Sequence, residues 1–192
     1  VEAACRVGNA DFIVRRDENA FAQKGLLVDP GFFDVFTFPI VKGESKTFAS
    51  NVDAIMISEQ LLETYFKDDD PIGKTLTVLG KELLVTAVLK NVPGNSHLQF
   101  DFVMPMEFVR AGGYDDLQKW NINNYYTYTK LSATASAPAF ANKIKDLIKE
   151  KHPKSDAELV VQPLHEVHLR SNHLNNDGAG RGNILYVYIF SA

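Results

Sequence analysis

The chain has 192 residues, of which 45% are hydrophobic and 23% charged, and these values are ordinary for a folded globular protein. Its net charge of -4 at pH 7 and its scattered basic residues argue against a nucleic-acid partner. Cys5 is the only cysteine, which excludes an intrachain disulfide, and we expect it to be a small buried residue rather than a nucleophile.

The first part of the chain predicts two neighbouring strands and then a helix. DFIVRRDE at 11–18 and AFAQKGLLVD at 20–29 have strand composition, with a turn between them. In DPGFFDVFTF, Asp29 is expected to cap a helix that has Pro30 at its first position. Three aromatic residues recur at helical spacing and are expected in the core: Phe32, Phe33 and Phe36.

The next segments predict a capped helix and a hairpin. NVDAIMIS is a short apolar strand that ends at Ser58, and Ser58 is expected to cap the helix EQLLETYF at 59–66. The alternating segment TLTV at 75–78 turns at Gly80 into ELLVTAVLKNV at 82–92, which is typical of a β-hairpin.

The remainder predicts further strands and the clearest helix of the chain. LQFDFVMPM, YYTYTKL and ELVVQPLHEV are interpreted as strands, and SAPAFANKIKDLIKEKH at 136–152 as a helix that ends at Pro153. The loops VPGNSHLQ at 92–99 and SNHLNNDGAGRGN at 171–183 are expected to be mobile. Strands and helices alternate at both ends, whereas the middle is nearly all strand. This pattern predicts an α+β fold with an all-β insertion. The helix predicted at 136–152 is expected to bury one stripe of residues: Ala139, Phe140, Ile144, Leu147 and Ile148.

The stretch DDDPIGKTLTV contains the letters GKT of a phosphate-binding loop at residues 73–75. That loop needs a glycine where Asp68 stands, and its lysine must open a helix, whereas strand periodicity follows Lys74. We therefore interpret the stretch as a turn, in which Pro71 ends the preceding helix and Gly73 supplies a permissive backbone angle. The aspartates also lack the spacing of an EF-hand calcium loop.

The stretch HEVHLRSNH is the most metal-like part of the sequence. On a strand, His165 and His168 would point to opposite faces, and the spacing is not the HExxH of metalloproteases. A metal site is therefore disfavoured. The sequence also has no nucleophile elbow, since Ser58 lacks the flanking glycines. We predict no catalytic, cofactor-binding or metal-binding residues.

The last residues, ILYVYIFSA at 184–192, are apolar and uncharged. Composition alone supports two interpretations equally. One is a last core strand, because Ile, Val, Tyr and Phe favour sheets. The other is the first turns of a truncated transmembrane helix, with its tyrosines near the lipid headgroups.

Three segments together resemble the MacB-like periplasmic core domain of ABC transporter permeases of the MacB, LolE and FtsX superfamily. They are LLVDPGFFDVFTFPIVKGE, AIMISEQLLETYFKDDDPIGKTLTV and LLVTAVLKNVPGNSHLQFDFVMP. WNINNYYTYTKL and PLHEVHL are similar to the large permeases common in Bacteroidetes. The resemblance implies a porter-like α/β subdomain from residues 1–70 and 107–183, and an inserted β-rich, sabre-like subdomain from 71–106. It also implies that 184–192 begin a truncated transmembrane helix.

The same resemblance implies a non-catalytic domain on the periplasmic side of the cell inner membrane. It would couple ATP hydrolysis by a cytoplasmic ABC ATPase subunit to substrate export or to a periplasmic partner. A second permease copy would complete a dimer in the intact transporter. Two alternatives remain from the residues alone: a soluble metal-dependent hydrolase that uses His165 and His168 with an acid, and a free-standing periplasmic binding module with a deep apolar pocket.

Overall fold

The computed structural model of the chain describes residues 1–113, 117–120, 122 and 124–167. These residues divide into two units. The first comprises residues 1–93 and 99–135, and the second comprises 94–98 together with the described residues from 136 onward.

The first unit contains a single mixed sheet of ten strands. Their order is β10-β1-β4-β9-β6-β8-β7-β2-β3, and β5 pairs with β8 beside β7. The pairs β4–β9 and β6–β8 are parallel, and the other pairs are antiparallel. The strands are β1 (Ala3–Asn9), β2 (Phe12–Arg16), β3 (Asn19–Gln23), β4 (Gly25–Val28), β5 (Ile40–Gly43), β6 (Ala54–Ser58), β7 (Thr75–Val78), β8 (Lys81–Leu89), β9 (Phe102–Pro105) and β10 (Tyr126–Lys130).

Short helices accompany the sheet, so the α+β fold class is confirmed. In the first unit they are α1 (Phe32–Val35), α2 (Ser45–Ser50), α3 (Glu59–Tyr65) and α4 (Glu107–Ala111). The second unit contains α5 (Ala137–Ile144), α6 (Leu147–Lys151) and a 3₁₀ helix (Leu164–Glu166).

The central strands are buried on both faces of the sheet. One set of alternating positions packs against Leu61 and Tyr65 of α3. This set includes Leu27, Ile55, Ile57, Phe102 and Met104. The positions between them are also buried: Leu26, Val28, Met56 and Val103. Such near-continuous apolar runs are typical of strands covered on two sides.

The phenylalanine-rich segment forms part of the core, as predicted. Phe32 is fully buried, and its ring centroid lies 5.1–5.5 Å from those of Phe33, Phe36 and Phe38. The cluster extends to Phe100, 5.0 Å from Phe38, and to Tyr128, 4.9 Å from Phe36. These separations are those of favourable aromatic pairs, so the cluster is packing rather than a ligand site.

Two local predictions in the middle of the chain are confirmed. The backbone N–H of Leu61 donates to the Ser58 hydroxyl at 3.2 Å, so Ser58 caps α3. β7 and β8 form the hairpin, with Leu79 and Gly80 both at positive φ in its two-residue turn.

Asp29 does not cap a helix. α1 begins only after Gly31 and has no side-chain cap. The Asp29 carboxylate instead accepts hydrogen bonds from Arg6, from its backbone N at 2.9 Å and from Nε and Nη2 at 2.8 Å each. A bidentate guanidinium partner satisfies this carboxylate more strongly than the backbone of a four-residue helix would.

Three other element predictions are wrong in detail. The strand expected at 20–29 is two strands, because the chain changes partners at Lys24, from β2 to β1 and β9. The helix expected at 136–152 is divided between α5 and α6, and none of its predicted stripe is fully buried. The strand expected at 158–167 is irregular and ends in the 3₁₀ helix.

The predicted division into subdomains at 71–106 stays a prediction. In the structure, the strands of that segment hydrogen-bond into the sheet that also contains β1 to β6. β8 pairs in parallel with β6, and β9 pairs in parallel with β4.

Candidate functional site

The GKT letters lie in a tight turn that leads into a strand. The N–H of Lys74 donates to the Pro71 carbonyl at 3.0 Å, and Gly73 between them has φ +81°. The Asp70 carboxylate accepts from the N–H of Ile72 at 3.1 Å, and β7 begins at the next residue, Thr75. The interpretation as a turn is therefore confirmed, but Pro71 does not end the preceding helix, because α3 already ends at Tyr65. Lys74 is followed by a strand and not by the helix that a phosphate loop requires.

Carboxylates surround the basic side chains at this turn. Asp69 lies between Lys74, at 2.9 Å, and Arg16, at 3.1 Å, and Asp70 pairs with Lys42 at 2.8 Å. Hydrogen bonds from Lys74 and then Arg16 lower the pKa of Asp69. Hydrogen bonds from Lys42 and then the Ile72 backbone lower the pKa of Asp70. The ammonium of Lys74 is thus already held by a carboxylate of its own chain.

A second glycine with a left-handed backbone, Gly43 at the end of β5, lies next to this turn. Gly43 has φ +79°, and the N–H of Glu44 donates to the Thr86 carbonyl at 3.3 Å. An added Cβ at Gly43 would lie 2.2 Å from the Thr86 oxygen and 3.0 Å from Cδ1 of Ile72. We call Lys42–Glu44 and Asp69–Lys74 together the joint, because Ile72 lies close to Gly43 and the Lys42–Asp70 ion pair links the two segments.

The joint lies where β8 changes its partner. Along one edge, β8 pairs first with β7 and then with β5, while along the other edge it follows β6. Ile55 is opposite Val85 and Met56 is opposite Ala87, so Thr86 is the extra residue of a β-bulge. Its hydroxyl is buried and has no hydrogen-bond partner among the residues that the structure describes.

Two grooves are found in the first unit. The first, of about 550 Å³, is lined mainly by amide and charged side chains, including Gln23, Lys24, Gln60, Asn91 and Asp101. The second, of about 490 Å³, is lined mainly by apolar side chains, with the Glu107–Arg110 ion pair of 2.6 Å at its edge. Ser58 lines the first groove, but its hydroxyl accepts the hydrogen bond that caps α3. Among the described residues of the groove, none is paired with Ser58 as a base.

Only one of the two histidines of the hydrolase alternative lies among the described residues. His165 lies in the 3₁₀ helix rather than on a strand, and its side chain is 82% exposed. His168 lies outside the described residues. Among residues 1–113, 117–120, 122 and 124–167, no group of three or more His, Cys, Asp or Glu side chains could hold a metal ion.

Cys5 is buried in β1, as expected. Burial first, and the nearby charge of Asp29 second, raise the pKa of the thiol to about 11. Since the thiolate is the reactive form, both the burial of Cys5 and its raised pKa disfavour a role as a nucleophile.

The apolar segment 184–192 and the loop 171–183 lie outside the described residues. Within the part of the chain that is described, no helix has both the length and the apolar character needed to cross a bilayer.

Comparison with known proteins identifies relatives of the same fold. The sequence model of the MacB-like periplasmic core domain matches residues 1–147. No curated protein matches the chain significantly. A permease domain from Porphyromonas gingivalis superposes with a TM-score of 0.67 and 20% identity, covering 87% of this chain and 82% of that one.

Two further solved structures have the same fold. The extracellular domain of the ABC-type transporter YknZ from Gram-positive bacteria gives a TM-score of 0.64 at 18% identity, covering 84% of this chain and 82% of that chain. The periplasmic region of MacB from Actinobacillus actinomycetemcomitans gives a TM-score of 0.60 at 16% identity, covering 80% of this chain and 68% of that chain.

The fold and the family match define an extracytoplasmic domain of an ABC transporter permease. Specifically, the chain belongs to the MacB-like periplasmic core domain family. Membership favours the permease interpretation over the hydrolase and the free-standing binding module. The PIGK turn was found from the sequence. The role of Gly43 was missed, and its only signal was the KGE triplet at 42–44.

Proposed function

We propose that this domain couples ATP hydrolysis in the cytoplasm to the movement or release of a substrate on the periplasmic side of the inner membrane. A cytoplasmic ABC ATPase subunit would bind the nucleotide, and the permease would pass the resulting motion to this domain. A second permease copy would complete the transporter. The exported substrate or a periplasmic partner protein would contact the surface of the domain.

The family match over residues 1–147 carries this proposal, because it assigns the chain to a class of permease domains. The chemistry of the joint supports it. Lys74 is paired with Asp69, and a strand follows it, so the domain lacks the features of a nucleotide site at its most nucleotide-like sequence. Nucleotide chemistry is therefore expected in another subunit.

The construction of the sheet also suits a transmitting element. Its central strands are buried on both faces, and close-packed interiors transmit displacement rather than absorb it. A displacement at one part of such a sheet would therefore be passed to the neighbouring strands.

The test uses the full-length permease with its ATPase in proteoliposomes. Residues 1–167 are replaced by a Gly/Ser linker, and both ATP hydrolysis and transport, or activation of the periplasmic partner, are measured. We expect basal ATP hydrolysis to persist and coupling to be lost. Full coupling in the linker variant would contradict the proposal.

Two matched variants separate the rival functions. Lys74→Ala is expected to leave the KM for ATP unchanged, and a raised KM would revive the nucleotide-site interpretation. His165→Ala with His168→Ala is expected to leave thermal stability in zinc unchanged. Zinc-dependent stabilisation that this double variant abolishes would favour the hydrolase.

A further inference from the structure

The first groove, of about 550 Å³, lies at the carboxyl ends of two parallel strands. β6 and β8 run parallel and end opposite each other at Ser58 and Leu89. The groove is lined by Ser58, by Gln60 in the first turn of α3 and by Asn91 just after β8. In open α/β sheets, ligands bind in the crevice outside the carboxyl ends of the parallel strands. The groove therefore has the position and the size of a small-molecule site.

Backbone N–H groups at this end of the sheet are already bonded within the chain. The N–H of Leu61 donates to the Ser58 hydroxyl at 3.2 Å. The N–H of Gln60 donates to the side-chain oxygen of Asn91 at 2.9 Å, and the N–H of Asn91 donates to the Glu59 carboxylate at 3.0 Å. These N–H groups are not available to an anionic ligand, so a side chain must supply its partner.

Charges of both signs line the groove. Lys24 is its cation, and Asp11 and Asp101 are its carboxylates. None of these three side chains forms an ion pair with another described residue. One Asp101 oxygen accepts the backbone N–H of Lys24 at 3.0 Å, whereas the Asp11 carboxylate accepts no hydrogen bond from the described residues. The groove thus differs from the joint, where Lys74 is held by Asp69.

Side-chain amides add hydrogen-bonding groups to the groove. Gln23 and Gln60 both line it, and neither side chain forms a hydrogen bond with the residues that the structure describes. A carboxamide has both donors and an acceptor, and each peptide unit likewise has one of each. Ala22 and Val92 supply apolar contact in the same groove. The lining therefore complements a peptide backbone that carries small side chains.

We propose that the first groove binds a short free peptide with both termini charged. Its carboxylate pairs with Lys24, and its ammonium pairs with Asp11, because one oxygen of Asp101 is already bonded to the backbone. A groove with unmatched charges of both signs selects a ligand that has both signs itself. The terminus of a protein would supply only one of them, so a short free peptide fits better. This site goes beyond the proposed coupling function, since it assigns a ligand to the chain itself.

Titration of this chain with trialanine, followed by the NMR shifts of backbone amides, tests the site. We expect saturable shifts at Gln23, Lys24, Gln60 and Asn91. Trialanine amide lacks the carboxylate, and acetyl-trialanine lacks the ammonium. Each should bind about fivefold more weakly than trialanine, which is the upper end for the loss of one exposed charge pair. The doubly blocked peptide should bind more weakly than either.

Two variants then assign each end of the peptide to its partner. Lys24→Gln should bind trialanine and trialanine amide equally while it keeps the preference for a free ammonium. Asp11→Asn should bind trialanine and acetyl-trialanine equally while it keeps the preference for a free carboxylate. The matched controls are Lys46→Gln and Asp68→Asn, since both residues are exposed and neither lines the groove. These controls should change neither preference.

Several results would overturn the proposed site. They are the absence of a saturable shift, equal affinity for trialanine and its doubly blocked form, an unchanged preference in Lys24→Gln or Asp11→Asn, and the same change in a control variant. The titration uses this chain without the ATPase or the membrane. A negative result would therefore overturn the peptide site alone and leave the proposed coupling function standing.

Discussion

The two glycines of the joint have the same backbone requirement but very different surroundings. Gly43 and Gly73 both have φ near +80°, and both lie beside β8. At Gly43, a Cβ would overlap the Thr86 carbonyl at 2.2 Å, whereas at Gly73 nothing lies within 4 Å. Gly43 is thus required by both backbone angle and space, and Gly73 by backbone angle alone.

This difference shows that the most recognisable motif is not the most constrained position. In the PIGK turn, Pro71 is buried but Gly73 is exposed, and exposed ion pairs flank it. Gly43, at the end of β5, lies against the bulge of β8. We therefore expect that substitution of the less conspicuous glycine has the larger effect.

The largest effect is expected for Gly43→Ala. The new methyl group would overlap a backbone oxygen, and the residue would also keep a left-handed conformation. Together these effects should lower the free energy of unfolding by about 3 kcal/mol. Urea unfolding of this chain measures the change. Gly94→Ala is the control, since a Cβ there meets nothing within 4 Å and no positive φ is needed. A loss at Gly43 no greater than at Gly94 would contradict the close approach.

A smaller loss is expected for Gly73→Ala. Only the left-handed backbone opposes this change, so it should cost about 1 kcal/mol. Gly73→Asn should cost less, because asparagine adopts this conformation more readily. The same urea measurement ranks the three variants. If Gly73→Ala lowered the free energy of unfolding as much as Gly43→Ala, the result would contradict the inferred difference between the surroundings of Gly43 and Gly73.

The smallest effect is expected at the Lys42–Asp70 ion pair, which links the two segments of the joint. Because the Lys42 hydrogen bond lowers the folded-state pKa of Asp70, the pair stabilises the protein above the unfolded pKa of about 4. That contribution is lost as the pH falls through the lowered pKa. Asp70→Asn keeps the oxygen that accepts from Ile72 but replaces the oxygen that pairs with Lys42 by an NH2 group, so it removes the charge and the Lys42 pair together.

Unfolding free energies between pH 7 and pH 2 measure this contribution. The difference between Asp70→Asn and the unaltered chain should be present at pH 7 and disappear at the acid end. Asp68→Asn is the control, because that carboxylate forms no ion pair within the described residues. An identical pH dependence for both variants would argue against a role for the Lys42 pair.

Features that depend on a few adjacent residues were predictable from the sequence. The Ser58 cap requires only a hydroxyl and an N–H three residues later, and the turn at Leu79 and Gly80 joins two adjacent alternating segments. The PIGK turn likewise depends on its own residues and their nearest neighbours. The family resemblance, and with it the fold class, rested on the spacing of such local signals.

Features that depend on distant partners were not predictable in the same way. Asp29 has the residue type and the spacing of a helix cap, but Arg6, 23 positions earlier, takes its carboxylate. The change of partner at Lys24 depends on where β1 and β9 lie. A side chain at position 43 is excluded by Thr86, which lies at the bulge of β8. No local sequence pattern predicts that bulge.

The position of β1 has a mechanical consequence. This strand lies antiparallel between β10, which pairs with Ala3–Val7, and β4, which pairs with Val7–Asn9. Arg6 also bonds to Asp29, just beyond the end of β4. A pull along the axis of β1 therefore loads the bonds on both sides in shear, all at once, instead of opening them one after another. Such a pull would reach the strands on both sides of β1 together.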